Sequence, residues 1–210
     1  MRKIIIFDFD GVLADSVQVV FKMNQEAVAS INKTLTMEEY VSCFEEHVNK
    51  RLAEMFHLTE QEKETLVGVK ANLFPKYYNT HTIKLFDFAK ELVLEAGTLG
   101  GLWIISSSPS DLIRQVLEPY GLVESFTKII GQNKLSKNII LENEIKDMKE
   151  GEVFFITDTT GDIKETRKIP EKILTLAVTW GFHSATLLES EKPDLLVYQP
   201  KEILDFIKSH

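Results

Sequence analysis

Short runs of β-branched, aliphatic and aromatic residues alternate along the chain with longer stretches whose apolar residues recur at helical spacing. Strands that alternate with amphipathic helices form parallel sheets covered by helices. The pattern therefore predicts an α/β fold built on a parallel sheet. The runs that predict strands are residues 3–9, 102–106, 153–157, 174–179 and 195–198.

One segment, residues 16–82, lacks this alternation and predicts consecutive amphipathic helices. Thr36 with Glu39, and Thr59 with Glu62, have the spacing of a capping box, which marks the start of a helix. We therefore expect a small all-helical domain inserted directly after the first strand. The predicted boundaries are residues 1–15 and 83–210 for the core and residues 16–82 for the insert.

Two carboxylates follow the first predicted strand. Asp8 and Asp10 end the apolar run that begins at Ile4, and Gly11 comes directly after them. Side chains alternate along an extended backbone, so residues two apart can point to the same side. A buried strand tolerates charge only where solvent, a metal or a ligand compensates it, and glycine permits a sharp turn and close approach to a ligand. This arrangement favours a metal-assisted reaction on an anion, with a capped loop and a surface aspartate as the alternative.

Hydroxyl groups follow the strand predicted at residues 102–106. Ser106, Ser107 and Ser108 precede Pro109, and Ser108 is expected to cap a helix that has Pro109 at its first position. Backbone N–H groups at the start of a helix, together with nearby hydroxyls, form a phosphate site. The alternative is that these serines only cap the helix and turn the chain.

Two further acids, Asp158 and Asp162, follow the strand predicted at residues 153–157. The carboxyl ends of neighbouring parallel strands lie at one edge of a sheet, where ligands bind in such folds, so we expect these acids to converge with Asp8 and Asp10. Carboxylates held together repel unless a cation neutralises them, and an all-oxygen set favours a hard ion. Magnesium is the expected ion, because it binds few protein carboxylates and keeps positions for water and phosphate oxygens.

Composition and charge narrow the choice of partners. With 210 residues, 44% of them hydrophobic and 27% charged, the chain fits one globular core plus an insertion. The formal net charge of -8 disfavours broad contact with nucleic acid or acidic membranes, so neither partner is expected. The single cysteine, Cys43, excludes an internal disulfide, and no stretch approaches transmembrane length. We therefore expect a cytoplasmic protein.

In chain order, these motifs resemble the haloacid dehalogenase superfamily, in particular its phosphatases with a helical cap inserted after the first motif. Residues 7–13 are similar to the first motif, residues 104–106 to the second and residues 157–162 to the fourth. Thr157 stands where the family usually has a glycine. The resemblance implies a Rossmann-like parallel-sheet core with a helical cap.

The third motif of that superfamily is a lysine upstream of the fourth motif. Lys137, near the start of a predicted helix, fits it best, and Lys134 is the competitor. Residues 178–183 and 192–194 look similar to the phosphoglycolate-phosphatase-like group. The resemblance thus extends over essentially the whole chain.

The resemblance also implies roles for the matching residues. Asp8 would attack phosphorus as the nucleophile, and Asp10 would protonate the leaving alcohol and then activate water. Lys137 would balance the negative charge of the transferred group. The implied ligands are Asp8, the Asp10 carbonyl, Asp158 and Asp162 for magnesium, and Ser106, Ser107 and the turn at Gly11 for the phosphoryl group.

Three classes of function follow. The leading hypothesis is a magnesium-dependent phosphatase that hydrolyses a small phosphorylated metabolite through an aspartyl-phosphate. The second is a phosphomutase resembling β-phosphoglucomutase, which would protect the phosphoenzyme from water. The third is a phospho-accepting switch of the response-regulator kind, which the helical insert and the Asp8, Asp10 pair argue against. The sequence leaves open whether the protein is a monomer or a homodimer.

Overall fold

The computed structural model describes residues 3–45, 48–131, 136–146, 151–171 and 173–210. The strands are β1 (Lys3–Phe7), β2 (Ala14–Asp15), β3 (Lys84–Leu85), β4 (Gly101–Ile105), β5 (Phe126–Ile130), β6 (Glu152–Thr157), β7 (Ile173–Val178) and β8 (Leu195–Val197). The helices are α1 (Val17–Ala29), α2 (Met37–Ser42), α3 (Val48–Met55), α4 (Glu60–Tyr77), α5 (Ala89–Gly97), α6 (Ser110–Leu117), α7 (Lys137–Ile145), α8 (Thr160–Thr166), α9 (Ala185–Ser190) and α10 (Pro200–Ser209).

The centre of the molecule is a six-stranded parallel sheet in the order β5-β4-β1-β6-β7-β8. The α/β class and the five predicted strands are confirmed, although the first strand ends at Phe7 rather than at residue 9. The sequence pattern does not predict β5, because Thr127 and Lys128 interrupt its apolar residues. The β5 strand pairs with β4 at the edge of the sheet, where a half-polar strand is tolerated.

The sheet is buried on both faces. Ile5 and Phe7 of β1 pack into one hydrophobic cluster with α5, α6 and α10, whereas Ile4 and Ile6 pack into a second cluster with α7. Alternate side chains of a strand point to opposite faces, and a parallel sheet with helices on both faces requires apolar residues at both. Each fully buried side chain of this size contributes roughly 1.5–3 kcal/mol. The apolar run of β1 therefore fixes its place in the middle of the sheet.

Helices α1 to α4 lie between β2 and β3 and pack around a third hydrophobic cluster that includes Tyr40, Leu52 and Leu66. Both predicted capping boxes are confirmed. Thr36 Oγ1 accepts from the Glu39 amide and Thr59 Oγ1 accepts from the Glu62 amide, while each glutamate accepts from the cap residue's own backbone N–H. The boundaries given above for the core and the insert stay a prediction.

A short antiparallel ribbon joins the two ends of this helical insert. Ala14 of β2 pairs with Leu85 of β3, and Asp15 pairs with Lys84. The sequence pattern does not predict this ribbon, because two residues on each side are too few to show a period. The chain therefore leaves and rejoins the core at adjacent points. In the ranges described, no helix is both long and apolar enough to cross a membrane.

Candidate active site

The polar residues that follow β1, β4 and β6 meet at one edge of the sheet. These strands are neighbours and run parallel, so their carboxyl ends lie side by side. The Asp8 backbone N–H donates to the Ile156 carbonyl at 2.9 Å, and the Ser106 backbone N–H donates to the Ile130 carbonyl at 3.0 Å. These bonds continue the sheet ladder by one residue and hold Asp8 and Ser106 at its end.

A lysine joins two of the predicted acids. Lys137 Nζ lies 2.7 Å from Asp8 Oδ2 and 2.7 Å from Asp162 Oδ2. The Lys137 side chain is only 13% exposed, so solvent screens these ion pairs weakly. One ammonium compensates one of the two carboxylates. The site is therefore left with excess negative charge.

Burial and charge set the protonation of this cluster. Burial raises the pKa of Asp8 to about 7, although the ammonium of Lys137 acts to lower it. Burial acts to lower the pKa of Lys137, but the carboxylates of Asp162 and Asp8 outweigh it and the pKa of Lys137 is raised. Lys137 is therefore a permanent cation beside Asp8.

Asp158 is enclosed by backbone. A Cβ placed on Gly11 would stand 2.1 Å from Asp158 Oδ2, and a Cβ placed on Gly181 would stand at the same distance. Gly11 also has a φ of +75°, a conformation that favours glycine. The Phe182 amide donates to Asp158 Oδ2 at 2.7 Å. The carboxylate thus lies in a close-fitting space that only glycine leaves open at both positions.

The other oxygen of this carboxylate has no hydrogen-bond donor. Asp158 Oδ1 is buried, and none of the described residues donates to it. Burial, with the charge of Asp8, raises the pKa of Asp158 well above its usual range. A buried carboxylate oxygen without a donor is costly unless a ligand or cation fills the space beside it. This oxygen fits the ligand set of a hard cation such as magnesium.

Over the described ranges, no three His, Cys, Asp or Glu side chains stand together as a ready-made metal cluster. Lys137 lies between Asp8 and Asp162, which keeps these two carboxylates paired to the ammonium. Magnesium uses one or two protein carboxylates and fills its other positions with water and substrate oxygens. The residues present therefore fit that ion through Asp158 and Asp8 rather than through a full cage of acids.

The Asp10 carboxylate accepts hydrogen bonds from the hydroxyls of Ser108 and Tyr78. Ser108 Oγ donates to Asp10 Oδ2 at 2.7 Å, and the Tyr78 hydroxyl lies 2.9 Å from both carboxylate oxygens. Burial raises the pKa of Asp10, against the lowering effect of the hydroxyls of Ser108, Ser16 and Tyr78. The expectation that Ser108 caps a helix is wrong. The helix α6 begins at Ser110 after Pro109 without a side-chain cap, because the Ser108 hydroxyl is bound to Asp10.

Comparison with known proteins assigns this arrangement to a family. The sequence profile of haloacid dehalogenase-like hydrolases matches residues 5–175, most of the chain. The chain belongs to this family. The match spans Asp8, Lys137 and Asp162, so the lysine and its two carboxylates lie inside the region that defines a haloacid dehalogenase-like hydrolase.

Curated relatives and solved structures agree with this assignment over nearly full length. The chain is 22% identical over 222 residues to the phosphoglycolate phosphatase of Vibrio parahaemolyticus, covering 98% of this chain and 96% of that protein. It is 25% identical over 211 residues to the phosphoglycolate phosphatase of Synechococcus elongatus, with coverage of 97% and 96%.

Among solved structures, a haloacid dehalogenase-like family hydrolase from Streptococcus pneumoniae superposes with a TM-score of 0.81 at 19% identity, covering 98% of each chain. A hydrolase from Pseudomonas syringae gives 0.80 at 20% identity, with 99% of each chain covered. These likenesses confirm the fold.

The second motif of this haloacid dehalogenase-like hydrolase is arranged around Ser106. Its side-chain oxygen accepts from the Ser108 amide at 3.1 Å, and the residue is 5% exposed. Ser107 is exposed. The loop therefore places Ser106 at the edge of the sheet where the acids lie, whereas Ser107 is exposed to solvent. Binding of a phosphoryl group by either serine stays a prediction.

The third and fourth motifs concern Lys137, its competitor Lys134, and Thr157. Helix α7 begins at Lys137, which confirms the predicted position of this lysine at a helix start. Lys134 lies outside the described residues. Thr157, which replaces the glycine usual in the family, donates its hydroxyl to Asp162 Oδ2 at 2.8 Å. This departure from the motif thus gives Asp162 a second hydrogen bond besides that of Lys137.

Several contacts at the site are not predicted from the sequence. Tyr78 comes from the end of α4, and no motif marks it. His183 accepts from the Thr160 amide through Nδ1 at 3.0 Å, while its Nε2 lies 3.0 Å from the Val41 carbonyl of the insert. The Phe44 and Phe182 rings are 4.2 Å apart. These contacts seat the insert on the loop that holds Asp158, a relationship that only the tertiary structure reveals.

Proposed function

We propose that this protein is a magnesium-dependent phosphatase that hydrolyses a small phosphomonoester through an aspartyl-phosphate on Asp8. The observation that carries the proposal is that Asp8 is paired with the ammonium of Lys137, while Asp10, two residues on, is a second buried carboxylate with hydroxyl donors of its own. A nucleophile beside a fixed cation, with a separately oriented acid nearby, is what phosphoryl transfer requires. The names of the curated relatives support the same class of substrate.

In the first step, a carboxylate oxygen of Asp8 forms a bond to phosphorus while the bond from phosphorus to the ester oxygen breaks. Asp10, in its protonated form, transfers its proton to that oxygen and the alcohol departs. Burial favours the protonated form of Asp10, because it raises the pKa of this carboxyl. Asp8 lies against the ammonium of Lys137, whereas Asp10 lies against neutral hydroxyls, and this difference in neighbours separates their roles.

In the second step, water attacks the phosphorus of the aspartyl-phosphate. Asp10, now ionised, takes a proton from that water, the bond to Asp8 breaks and inorganic phosphate leaves. The Ser108 and Tyr78 hydroxyls both donate to Asp10 and so stabilise its ionised form between the steps.

Charge stabilisation supplies much of the rate enhancement. Uncatalysed hydrolysis of phosphate monoesters is so slow that enzymes accelerate it by up to roughly 10²¹-fold. Lys137 is fixed beside Asp8 before the reaction, where its charge would stabilise the oxygens of a phosphoryl group bonded to that residue. Bound magnesium would be held by Asp158 and Asp8, with the Asp10 carbonyl and Asp162 in support, and would neutralise phosphoryl oxygens.

Phosphorus NMR on a panel of phosphomonoesters tests the proposal. The panel contains 2-phosphoglycolate, ethyl phosphate and glucose 1-phosphate with a trace of glucose 1,6-bisphosphate, each with and without magnesium. We expect stoichiometric inorganic phosphate from at least one ester, and only with the ion present. Rapid conversion of glucose 1-phosphate into glucose 6-phosphate with little free phosphate would instead assign the protein as a phosphomutase.

A further inference from the structure

Tyr78 holds both oxygens of Asp10. Its hydroxyl lies 2.9 Å from Oδ1 and 2.9 Å from Oδ2, and the Ser108 hydroxyl donates to Oδ2 at 2.7 Å. The two hydroxyls come from different parts of the chain, one from the end of α4 and one from the loop after β4. Together they fix the plane of the Asp10 carboxyl group.

The ring of Tyr78 is itself fixed. The residue is 1% exposed and packs in the same hydrophobic cluster as Phe9, although α4 belongs to the insert. Its ring centroid lies 6.4 Å from that of Phe9 and 6.1 Å from that of Phe74. A buried tyrosine needs a partner for its O–H group. A phenylalanine ring would pack equally well at this position, so packing does not account for the hydroxyl.

We propose that Tyr78 is a positioning residue for Asp10, an inference that rests on the proposed function. A general acid acts only when its carboxyl group lies within hydrogen-bond distance of the leaving oxygen. A displacement of about 1 Å can cost roughly 10²-fold in rate. Tyr78 acts through Asp10, because its hydroxyl limits the orientations that this carboxyl group can adopt.

The neighbours of Tyr78 tie this function to the insert. Lys76 Nζ lies 2.9 Å from a Glu26 carboxylate oxygen, and the Tyr77 hydroxyl donates to the same carboxylate at 2.5 Å. Glu26 belongs to α1, so the last turn of α4 is attached to α1 on its outer side and to Asp10 on its inner side. The orientation of Asp10 therefore depends on how the insert is seated.

Two adjacent tyrosines provide a matched experiment. Tyr78→Phe removes the hydroxyl bound to Asp10, and Tyr77→Phe removes a neighbouring hydroxyl that is exposed and bound to Glu26. The single-turnover rate at which the phenol is released, which reports the first step alone, is measured with magnesium on phenyl phosphate and on 4-nitrophenyl phosphate, which are similar in size. Phenol is much the weaker acid, so phenyl phosphate depends on protonation by Asp10, whereas 4-nitrophenolate leaves without it.

For Tyr78→Phe we expect the single-turnover rate of phenol release from phenyl phosphate to fall about 10- to 100-fold, against less than about threefold for 4-nitrophenol release from 4-nitrophenyl phosphate. Tyr77→Phe should leave both rates within about twofold, because the ion pair between Lys76 and Glu26 still attaches α4 to α1. In an Asp10→Asn background, adding Tyr78→Phe should cost nothing further, because residues that act through one another are non-additive. Equal losses on the two esters, or no loss, would overturn the assignment.

Ser108→Ala is the second variant, because it removes the other hydroxyl on Asp10 and leaves the Tyr78 ring packed. Like Tyr78→Phe, it should slow phenol release from phenyl phosphate more than 4-nitrophenol release from 4-nitrophenyl phosphate. An unchanged ratio of the two rates would contradict the positioning of Asp10 by these hydroxyls. A wild-type protein that releases phosphate from neither these two esters nor any ester of the panel above would contradict the proposed function itself. Wild-type turnover with an unselective Tyr78→Phe would contradict only this inference.

Discussion

Lys137 Nζ and Asp8 Oδ2 are 2.7 Å apart, although 128 residues separate the two in the chain. The same ammonium lies 2.7 Å from Asp162 Oδ2. A single side chain at the start of α7 thus connects the acid that follows β1 with the acid in α8. Breaking this connection leaves two buried carboxylates facing one another.

Lys137→Ala should therefore slow the chemical step. We expect single-turnover formation of the phosphoenzyme to fall by about 10²- to 10³-fold, because a fixed charge on the phosphoryl oxygens is lost. The matched control is Lys134→Ala, which should stay within about threefold of the parent. The opposite ranking of the two variants would assign the lysine role to Lys134.

Asp8→Asn should abolish turnover while the fold is retained. The amide has nearly the same shape as the carboxylate but is a poor nucleophile, so no aspartyl-phosphate can form. Asp15→Asn makes the same chemical change at an exposed position of β2 and should be fully active. Activity of Asp8→Asn within tenfold of the parent, at matched circular dichroism, would contradict the nucleophile assignment.

Asp158→Ala should weaken activation by magnesium more than Asp162→Ala does. Asp158 Oδ1 has no hydrogen-bond donor among the described residues, whereas Asp162 Oδ2 is bound by Lys137 and Thr157. Titration of activity with magnesium measures the difference as a shift of the half-saturating concentration. Gly181→Ala offers a check without loss of the carboxylate, since its Cβ would stand 2.1 Å from Asp158 Oδ2 and should also raise that concentration. An unchanged titration for Asp158→Ala would place the ion elsewhere.

Lys70 gives a prediction about stability. This residue of α4 is 8% exposed, and its Nζ lies 2.7 Å from Asn49 Oδ1, a neutral partner. Burial lowers the pKa of Lys70 to about 8. The unfolded chain binds more protons than the folded protein between this pKa and the usual lysine value, so the free energy of unfolding should rise with pH across that window, by about 3 kcal/mol from this group.

At pH 7 the cost of the buried ammonium is fully present. Lys70→Met should therefore raise the melting temperature and flatten the rise in stability above pH 8, because it removes the charge and keeps the volume. Lys63→Met changes a half-exposed lysine of the same helix and should do neither. Denaturant unfolding at several pH values measures both effects, and a less stable Lys70→Met would show that the ammonium stabilises the fold.

The parallel core and the acids at its edge could be predicted because their causes are local. An apolar run buried on both faces, as in β1, has a distinct pattern, and the polar residues that end such strands must lie at the sheet edge. Strand β5 gives no such signal, since its polar residues 127 and 128 lie at the sheet margin.

The contacts that orient the acids could not be predicted. Tyr78 reaches Asp10 across 68 residues, and Ser108 reaches it across 98. Read locally, Ser108 before Pro109 favours a helix cap, but an anionic partner brought close by tertiary structure binds the hydroxyl instead. Sequence patterns identify which residue types gather at an edge of the sheet. Which of them bond to one another depends on the packing of residues that are far apart in the chain.

The ribbon of β2 and β3 makes the helical insert an exchangeable module. Asp15 and Lys84 are paired neighbours, so an insert that keeps this pairing leaves the core and returns to it at adjacent points. The exchange has conditions, because the present insert supplies the phenol that holds Asp10 and also contacts the loop around Asp158 through Val41 and Phe44. A replacement insert would have to provide another hydrogen-bond donor to Asp10, because without one this carboxyl group would be held less firmly.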